Sequence, residues 1–463
     1  MISMASVGKK NCRKAPLALR DLSWVALTTL FFVSSAGAMD LAEISRLAID
    51  NDPGLKRAAA VLRAVKQSEP RARGEMLPQI GVVATIDETV QDGLRVGLLP
   101  SGAIGLRDAS NSTDNEFYSI ELRQTLIDRS RWLKLGQSKM HGAAETARYE
   151  AEFQNLLLEV SIRYFEVLAA QDRVEAANGN LQAAKKQREQ TENMRSVGLI
   201  AGTDVKEALA AYDQAKALVI ATERANLAAM ERLRTLTGTP ISALAKLDEG
   251  LQLVPPEPES SEAWVQRALE SNPRLLARRN ETRVAARDID IARAQRWPVF
   301  DLVANRSLIQ RDSNNLFDTT DYDQNVIGIQ FRMPLFSSGV IRANIHEAAA
   351  YRDAVQATLE LEQRMVEQET RDAYIGVVSQ IANVEALRLS AISARAALEA
   401  TENGFQVGTR TTVDVLNAQQ TYLDARVRLA RGRYDYLLEG LRLQLAVGSL
   451  EAGSIVRVNS YLE

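Results

Sequence analysis

The chain has 463 residues, enough for more than one domain, and its 46 % apolar residues come with only 5 % aromatics, a balance that suits long helices in close contact better than a sandwich core. The net charge is −3 and the only cysteine, Cys12, lies near the N-terminus. Nothing in this composition resembles a nucleic-acid footprint or a disulfide framework.

Lys9, Lys10, Arg13, Lys14 and Arg20 precede a 12-residue apolar run, Leu22 to Val33, and a small-residue site, Ala36-Gly37-Ala38. This is the pattern of a secretory signal peptide over 1–38, cleaved after Ala38, with an uncleaved anchor as the alternative. The run is too short to span a bilayer, and no later run reaches the roughly 18 apolar residues a span needs. Cleavage removes Cys12 and leaves 51 Lys and Arg against 58 Asp and Glu, with no thiolate site and no lipid-bearing N-terminal cysteine.

From Asp40 to Gly74 the pattern is helical and stops before Leu77-Pro78, with Pro70 expected to kink its last turn. Two strands of about 10 to 12 residues follow: Ile80, Val82, Ala84 and Ile86 alternate with Gln79, Gly81, Val83 and Thr85, and Tyr118, Ile120, Leu122 and Leu126 with Ser119, Glu121, Arg123 and Thr125. Gln91 to Asn115 reads as a polar surface loop between them. Residues 101 to 239 contain no proline, which permits helices far beyond the usual three or four turns. Two are expected, Ser130 to Val197 and Thr203 to Thr237. Phe153, Leu157, Val160, Tyr164, Val167, Gln171 and Val174 mark a heptad seam on the first.

After Gly238 to Glu259, with its Pro255-Pro256-Glu257-Pro258, the plan repeats. Ser260 and Ser261 offer caps for a helix over Glu262 to Trp297. Strands follow around Leu302 to Leu308 and Ile327 to Leu335, joined by a polar loop from Asp312 to Gln324, and then helices over Val340 to Val407 and Thr411 to Val447. Pro53 and Pro78 recur 220 residues on at Pro273 and Pro298. VGLIAGTDVKEALA at Val197 is echoed by VGTRTTVDVLNAQQ at Val407. The domain reading is therefore a first repeat over 39–237, a linker over 238–259, a second repeat over 260–447 and a tail over 448–463.

Alternation alone also fits an antiparallel sheet on a soluble core, and the seam alone fits a cytosolic coiled coil. The signal peptide, helices of ~100 Å and the absence of another domain to cover the sheet select lipid as the sheet's partner. Four strands cannot close a barrel, and open edges are not tolerated in lipid, so copies must join. Two copies give eight strands and a filled interior, three give twelve and a lumen.

The paired VG-turns, the NDP and LPQI stations at Asn51 and Leu77, and FRMPLFSSG at Phe331 together resemble the TolC-type outer-membrane efflux proteins over nearly the whole mature chain. The resemblance implies a mixed α and β membrane protein: a homotrimer with a 12-stranded β-barrel, four strands per chain, continuing into a long periplasmic α-helical barrel. The linker and tail would form an equatorial layer. The implied function is an outer-membrane export channel, not an enzyme and without cofactor. It would take cargo from an inner-membrane ABC or RND transporter through a periplasmic adaptor, in type I secretion or multidrug efflux. A periplasmic coiled-coil adaptor or structural protein without a pore is the alternative.

The same resemblance assigns roles at the tip. Gly198 and Leu199, with Gly408 and Thr409, match adaptor-docking turns, the two glycines being candidates for the left-handed conformation. Thr203, Asp204, Phe405 and Arg410 match contacts that hold the tip closed, with Phe405 standing where the family usually has Tyr. Asp414 matches one of two lumen-facing aspartates ringing the entrance, while Asn417 occupies the second position, halving that charge. The plainer reading of Asp414 is a solvated side chain suited to the helix dipole. His141, His346 and the acidic Asp312, Asp318, Asp321 and Asp323 lack metal-ligand spacing.

Overall fold

A computed structural model describes residues 38–98, 100–198, 200–241, 243–248, 250–313 and 320–462. Apart from Ala38, the signal peptide lies outside the described residues. Its chain order is α1 (Leu41–Asn51), α2 (Pro53–Lys66), α3 (Ser68–Gly74), β1 (Gln79–Leu98), β2 (Ile104–Ile127), α4 (Arg129–Ser196), α5 (Gly202–Thr237), and then α6 (Ser261–Ser271), α7 (Pro273–Ala294), β3 (Val299–Ser313), β4 (Thr320–Arg332), α8 (Val340–Gln406), α9 (Thr412–Val447) and α10 (Ala452–Asn459). One unit of helix, two strands, long helix and shorter helix is thus written twice.

The long helices end within a residue or so of the expected places, because glycine stops them and no proline interrupts them. α4 has 68 residues and α8 has 67, each about 100 Å long at 1.5 Å per residue. The proline-bearing segments are more broken than expected. Asp40 to Gly74 forms three helices, since the Asp52 side chain accepts from Leu55 N–H at 2.7 Å and starts a new helix at Pro53. Pro70 lies in the first turn of α3, where its missing N–H costs nothing. Glu262 to Trp297 likewise splits at Asn272-Pro273, with Asn272 Oδ1 accepting from Arg274 and Leu275 N–H at 2.9 and 3.3 Å. Ser260 holds the N-cap position of α6 without a side-chain bond.

The strands form one antiparallel sheet in the order β1-β2-β3-β4. They run to 20, 24, 15 and 13 residues, longer than expected. The stretch Gln91 to Asn115 is mostly ladder, paired continuously from Gln79↔Arg123 to Leu98↔Ile104. Polar cross-strand bonds carry it: Ser112 Oγ donates to Glu88 at 2.7 Å and Asn115 Nδ2 to Asp87 at 3.0 Å. Farther out, Val90, Leu94, Val96, Ile104 and Leu106 lie exposed on the same parity as Ile80, so the alternation interrupted by Glu88 and Asp92 resumes in the ribbon. β3 similarly reaches Ser313 and β4 starts at Thr320, inside the expected Asp312 to Gln324 loop.

Across the sheet, Ile80, Leu122, Ala304 and Ile327 fall in one row. That face is apolar and uncovered, with Ile80 70 % and Ile327 82 % exposed. The opposite face buries polar groups: Asp301 accepts from Arg123 Nη2 at 2.6 Å and Thr125 Oγ1 at 2.8 Å, beside buried Ser119 and Ser307. Apolar outside and polar inside is the arrangement of a wall between lipid and water.

The main core lies partway along the helices. The seam residues Leu157, Val160, Tyr164 and Val167 of α4 are fully buried there against Leu41 and Ile44 of α1, Leu233 of α5, Leu441 of α9 and Ile455 of α10. Linker and tail close this layer through bridges Met39↔Leu244 and Leu247↔Leu462, and Asn459 Nδ2 donates to Asp40 at 2.9 Å. At one junction the end of α9 meets the start of α7. Gly448 has φ 82, and a Cβ there would stand 2.5 Å from Pro273 Cδ.

Candidate channel tip

Both VG-turns lie at the far ends of the long helices, a full helix length from the sheet. Gly198 has φ 78 and Gly408 φ 80, a left-handed geometry in which only glycine avoids a Cβ penalty. At the second turn, Gly408 N–H donates to Phe405 O at 3.1 Å and Thr409 N–H to Gly404 O at 2.8 Å. This pair of bonds is a Schellman closure, which satisfies the last free carbonyls of α8. Leu199 lies outside the described residues. Gly198 N–H donates to Arg195 O at 2.9 Å.

The helix restarts differ. Thr411 and Asp414 form a reciprocal cap on α9: the Asp414 carboxylate accepts from Thr411 N–H at 2.8 Å and Thr411 Oγ1 at 2.9 Å, while Asp414 N–H donates to Thr411 Oγ1 at 3.2 Å. These bonds, backbone first, with the Arg410 charge in support, hold the Asp414 carboxyl below the usual aspartate range. In the first repeat Ala201 stands where Thr411 does and supplies no cap. Asp204, the counterpart of Asp414, receives among the described residues only a long 3.4 Å contact from Thr203 Oγ1.

Arg410 folds over its own turn, its Cγ 2.8 Å from where a Cβ on Gly404 would be. Among the described residues no ion pair or hydrogen bond joins Arg410 to Asp204 or Thr203 within one chain. Phe405 is half-buried, and Asn417 is exposed one turn past Asp414.

Two contacts between the hairpins are not evident from the repeat. Gln187 Nε2 donates to Thr412 Oγ1 at 3.0 Å close to the tip. Higher up, the buried Tyr434 hydroxyl donates to Asp172 at 2.7 Å and its ring stacks on Phe165 with centroids 5.4 Å apart. Burial pushes the Asp172 carboxyl up, with the Tyr434 hydroxyl pulling the other way. Arg426 and Lys246 approach the adjacent Glu175 at 3.8 and 3.3 Å. A repeat search favours residues written twice, and the counterparts of Asp172 and Tyr434 at an offset of 210 are Ala382 and Arg224.

A sheet with one lipid-type face and one polar face, running directly into paired helical hairpins with charged, glycine-hinged ends, defines a class of membrane conduit that is part strand and part helix. Residues 44–239 and 264–449 match the profile described as Outer membrane efflux protein, and the chain belongs to that family. The two matched segments correspond to the two structural repeats. The chain is 33 % identical over 434 residues to outer membrane protein TolC of Vibrio cholerae, covering 93 % of this chain and 95 % of that protein. It is 27 % identical to alkaline protease secretion protein AprF of Pseudomonas aeruginosa, covering 94 % and 90 %. Among solved structures, the CmeC outer membrane channel of Campylobacter jejuni matches with TM-score 0.73 at 17 % identity, over 91 % of this chain and 90 % of that one. The family consists of transport channels, which sets aside the adaptor without a pore.

Proposed function

We propose that the chain is the outer-membrane channel of an export system, three copies closing one 12-stranded barrel that continues into a periplasmic helical duct. The observation that carries this is the open sheet: among the described residues β1 and β4 have no partner on their outer edges, and the exposed apolar face requires lipid. Unpaired edges in hydrocarbon cost several kcal/mol per group, so each β4 needs the β1 of the next copy. Such head-to-tail contacts close into a ring. The helices support the same closure. α8 ends one side of the helical wall and α5 and α2 the other, and Leu361, Leu389 and Ile392 on α8 are exposed in one chain, as are Leu209, Ile220 and Leu227 on α5. One stretch of α8 is long and apolar enough to cross a membrane, yet little of it is buried within one chain. We read it as a stripe for the neighbouring copy rather than a membrane span.

In this reading the leader is removed after Ala38. The residues after it begin anchored, since Met39 N–H donates to Ala243 O at 2.9 Å and Ala245 N–H to Met39 O at 3.0 Å. Residues 39–237 and 260–447 are the two repeats of each wall segment, and 238–259 with 448–463 form the equatorial layer. Gly198, Leu199, Gly408 and Thr409 offer the turns to a periplasmic adaptor, which links the channel to an inner-membrane ABC or RND transporter. Type I secretion and multidrug efflux both fit, and the likeness to a protease secretion protein supports the former. Arg410 of one copy would pair with Asp204 or Thr203 of the next to hold the tip closed, a charge-assisted contact stronger than a neutral one. Asp414 would ring the entrance, three carboxylates to the trimer, with Asn417 leaving the second ring uncharged.

Membrane fractionation tests the reading. Recovery from the outer membrane as an oligomer that runs as a trimer on unheated gels and as a monomer after boiling is expected. Recovery as a soluble periplasmic monomer overturns it.

A further inference from the structure

The junction of helices and strands carries an apolar collar with a cationic cleft beneath it. Leu77, Trp132, Trp297, Leu335 and Phe336 lie within a few residues of a strand end and are exposed, Trp132 by 63 %. Tryptophan at such a level marks a membrane–water interface. Going away from the barrel, Trp132, Lys139, Ala143 and Thr146 follow at spacings of seven, four and three, which places them on one face of α4. There α4, the end of α2 and α3 frame a cleft of about 730 Å³ lined by Lys66, Arg73, Leu77, Lys139, Gly142 and Thr146.

The cleft's one carboxylate, Glu69, is already held by Arg73 at 2.6 Å. Lys66 and Lys139 have no acidic partner among the described residues. A net positive cleft on a chain of charge −3 calls for an anion. Its height identifies which one. Lys139 lies seven residues beyond Trp132, ~10 Å along the helix, and the headgroup zone is roughly 5–8 Å deep on each side of the hydrocarbon. A lysine snorkelling back toward the bilayer closes that gap.

We propose that this cleft binds an anionic glycerophospholipid of the periplasmic leaflet, one per protomer. Lys66, Lys139 and Arg73 meet its phosphate, and Leu77 and Trp132 meet the start of its acyl chains. The proposal rests on the membrane reading above, but its test reads the two separately. The purified protein in detergent is mixed with dioleoylphosphatidylglycerol or with dioleoylphosphatidylcholine, and native mass spectrometry records lipid retained and oligomer mass in the same spectrum. Phosphatidylglycerol is expected to be retained at least about fivefold over phosphatidylcholine. The double variant Lys66→Gln/Lys139→Gln brings that ratio to about one, while Lys185→Gln/Lys186→Gln, far down α4, leaves it unchanged. Both variants should keep the wild-type oligomer mass, which certifies their fold. Equal retention of the two lipids by the wild type overturns the proposal, as does a preference that survives the double variant. Abolition of the preference by millimolar inorganic phosphate assigns the cleft to a free anion and overturns it too. A monomeric mass would count against the trimer, whatever the lipid ratio.

Discussion

Asp414 is tied to Thr411 by two hydrogen bonds at 2.8 and 2.9 Å before it can offer charge to a lumen. Because folding depresses its pKa, the stability it adds is present above the unfolded value and lost as pH falls through the folded one. Block of the pore by a trivalent cation should therefore persist below the ordinary aspartate value of 3.8. In planar bilayers Thr411→Ala should move the loss of block to higher pH, and Asp414→Ala should abolish block at all pH values; block that persists in Asp414→Ala places the ring elsewhere. Arg410→Ala or Asp204→Ala should raise single-channel conductance, and unchanged conductance discards the proposed lock. Part of this site was legible in the sequence. Two glycines before two helix starts are candidate reversals with φ above zero, and the structure gives them that geometry, but the Thr411–Asp414 spacing supports a cap and a ring alike, and only geometry shows that the cap is made. Arg410 read as a partner for Asp204, whereas within one chain it lies on Gly404, the room for it coming from a glycine whose role no spacing announces.

At the scale of elements, the helices were readable because a proline-free tract bounded by glycine leaves the chain little choice. The short helices were merged because an Asx-Pro pair both ends one helix and caps the next. Strand length has a different reason: Glu88 and Asp92 break the apolar parity after Ile86, and where it resumes at Leu94 and Val96 the interleaved Gly93 and Gly97 make the stretch read as a loop. The link between hairpins was invisible, since Asp172 and Tyr434 each read as an ordinary helical residue. Removing the hydroxyl in Tyr434→Phe leaves a half-buried carboxylate without its donor, a loss of about 1–3 kcal/mol. Without that hydroxyl the Asp172 pKa rises further, and protonation at low pH relieves the buried charge. The loss of thermal midpoint should be largest at pH 8 and shrink as pH is lowered through the raised Asp172 pKa; a loss independent of pH would show that the pair matters through packing alone. Gly448→Ala should cost at least about 2 kcal/mol, because φ 82 and the approach of Pro273 to 2.5 Å both exclude a methyl. A thermal midpoint unchanged by that substitution would mean the α7–α9 junction relaxes freely.

For the whole molecule, the sequence already demanded an assembly, since four strands leave two edges that lipid cannot satisfy. The structure adds the direction of closure, with β4 and α8 at one end of the wall and β1, α2 and α5 at the other. It also separates a dry, exposed sheet face from a wet, hydrogen-bonded one, which composition alone could not do. The most direct test uses the lack of cysteine after residue 38. A cysteine at Val82 on β1, combined with one at Ile327 or Ile329 on β4, is treated in the purified protein with a short bismaleimide. The account predicts covalent species of two and three chains and none larger, with single-cysteine controls remaining monomeric on denaturing gels. Cross-links confined to one chain, or a ladder that continues past three, would contradict it.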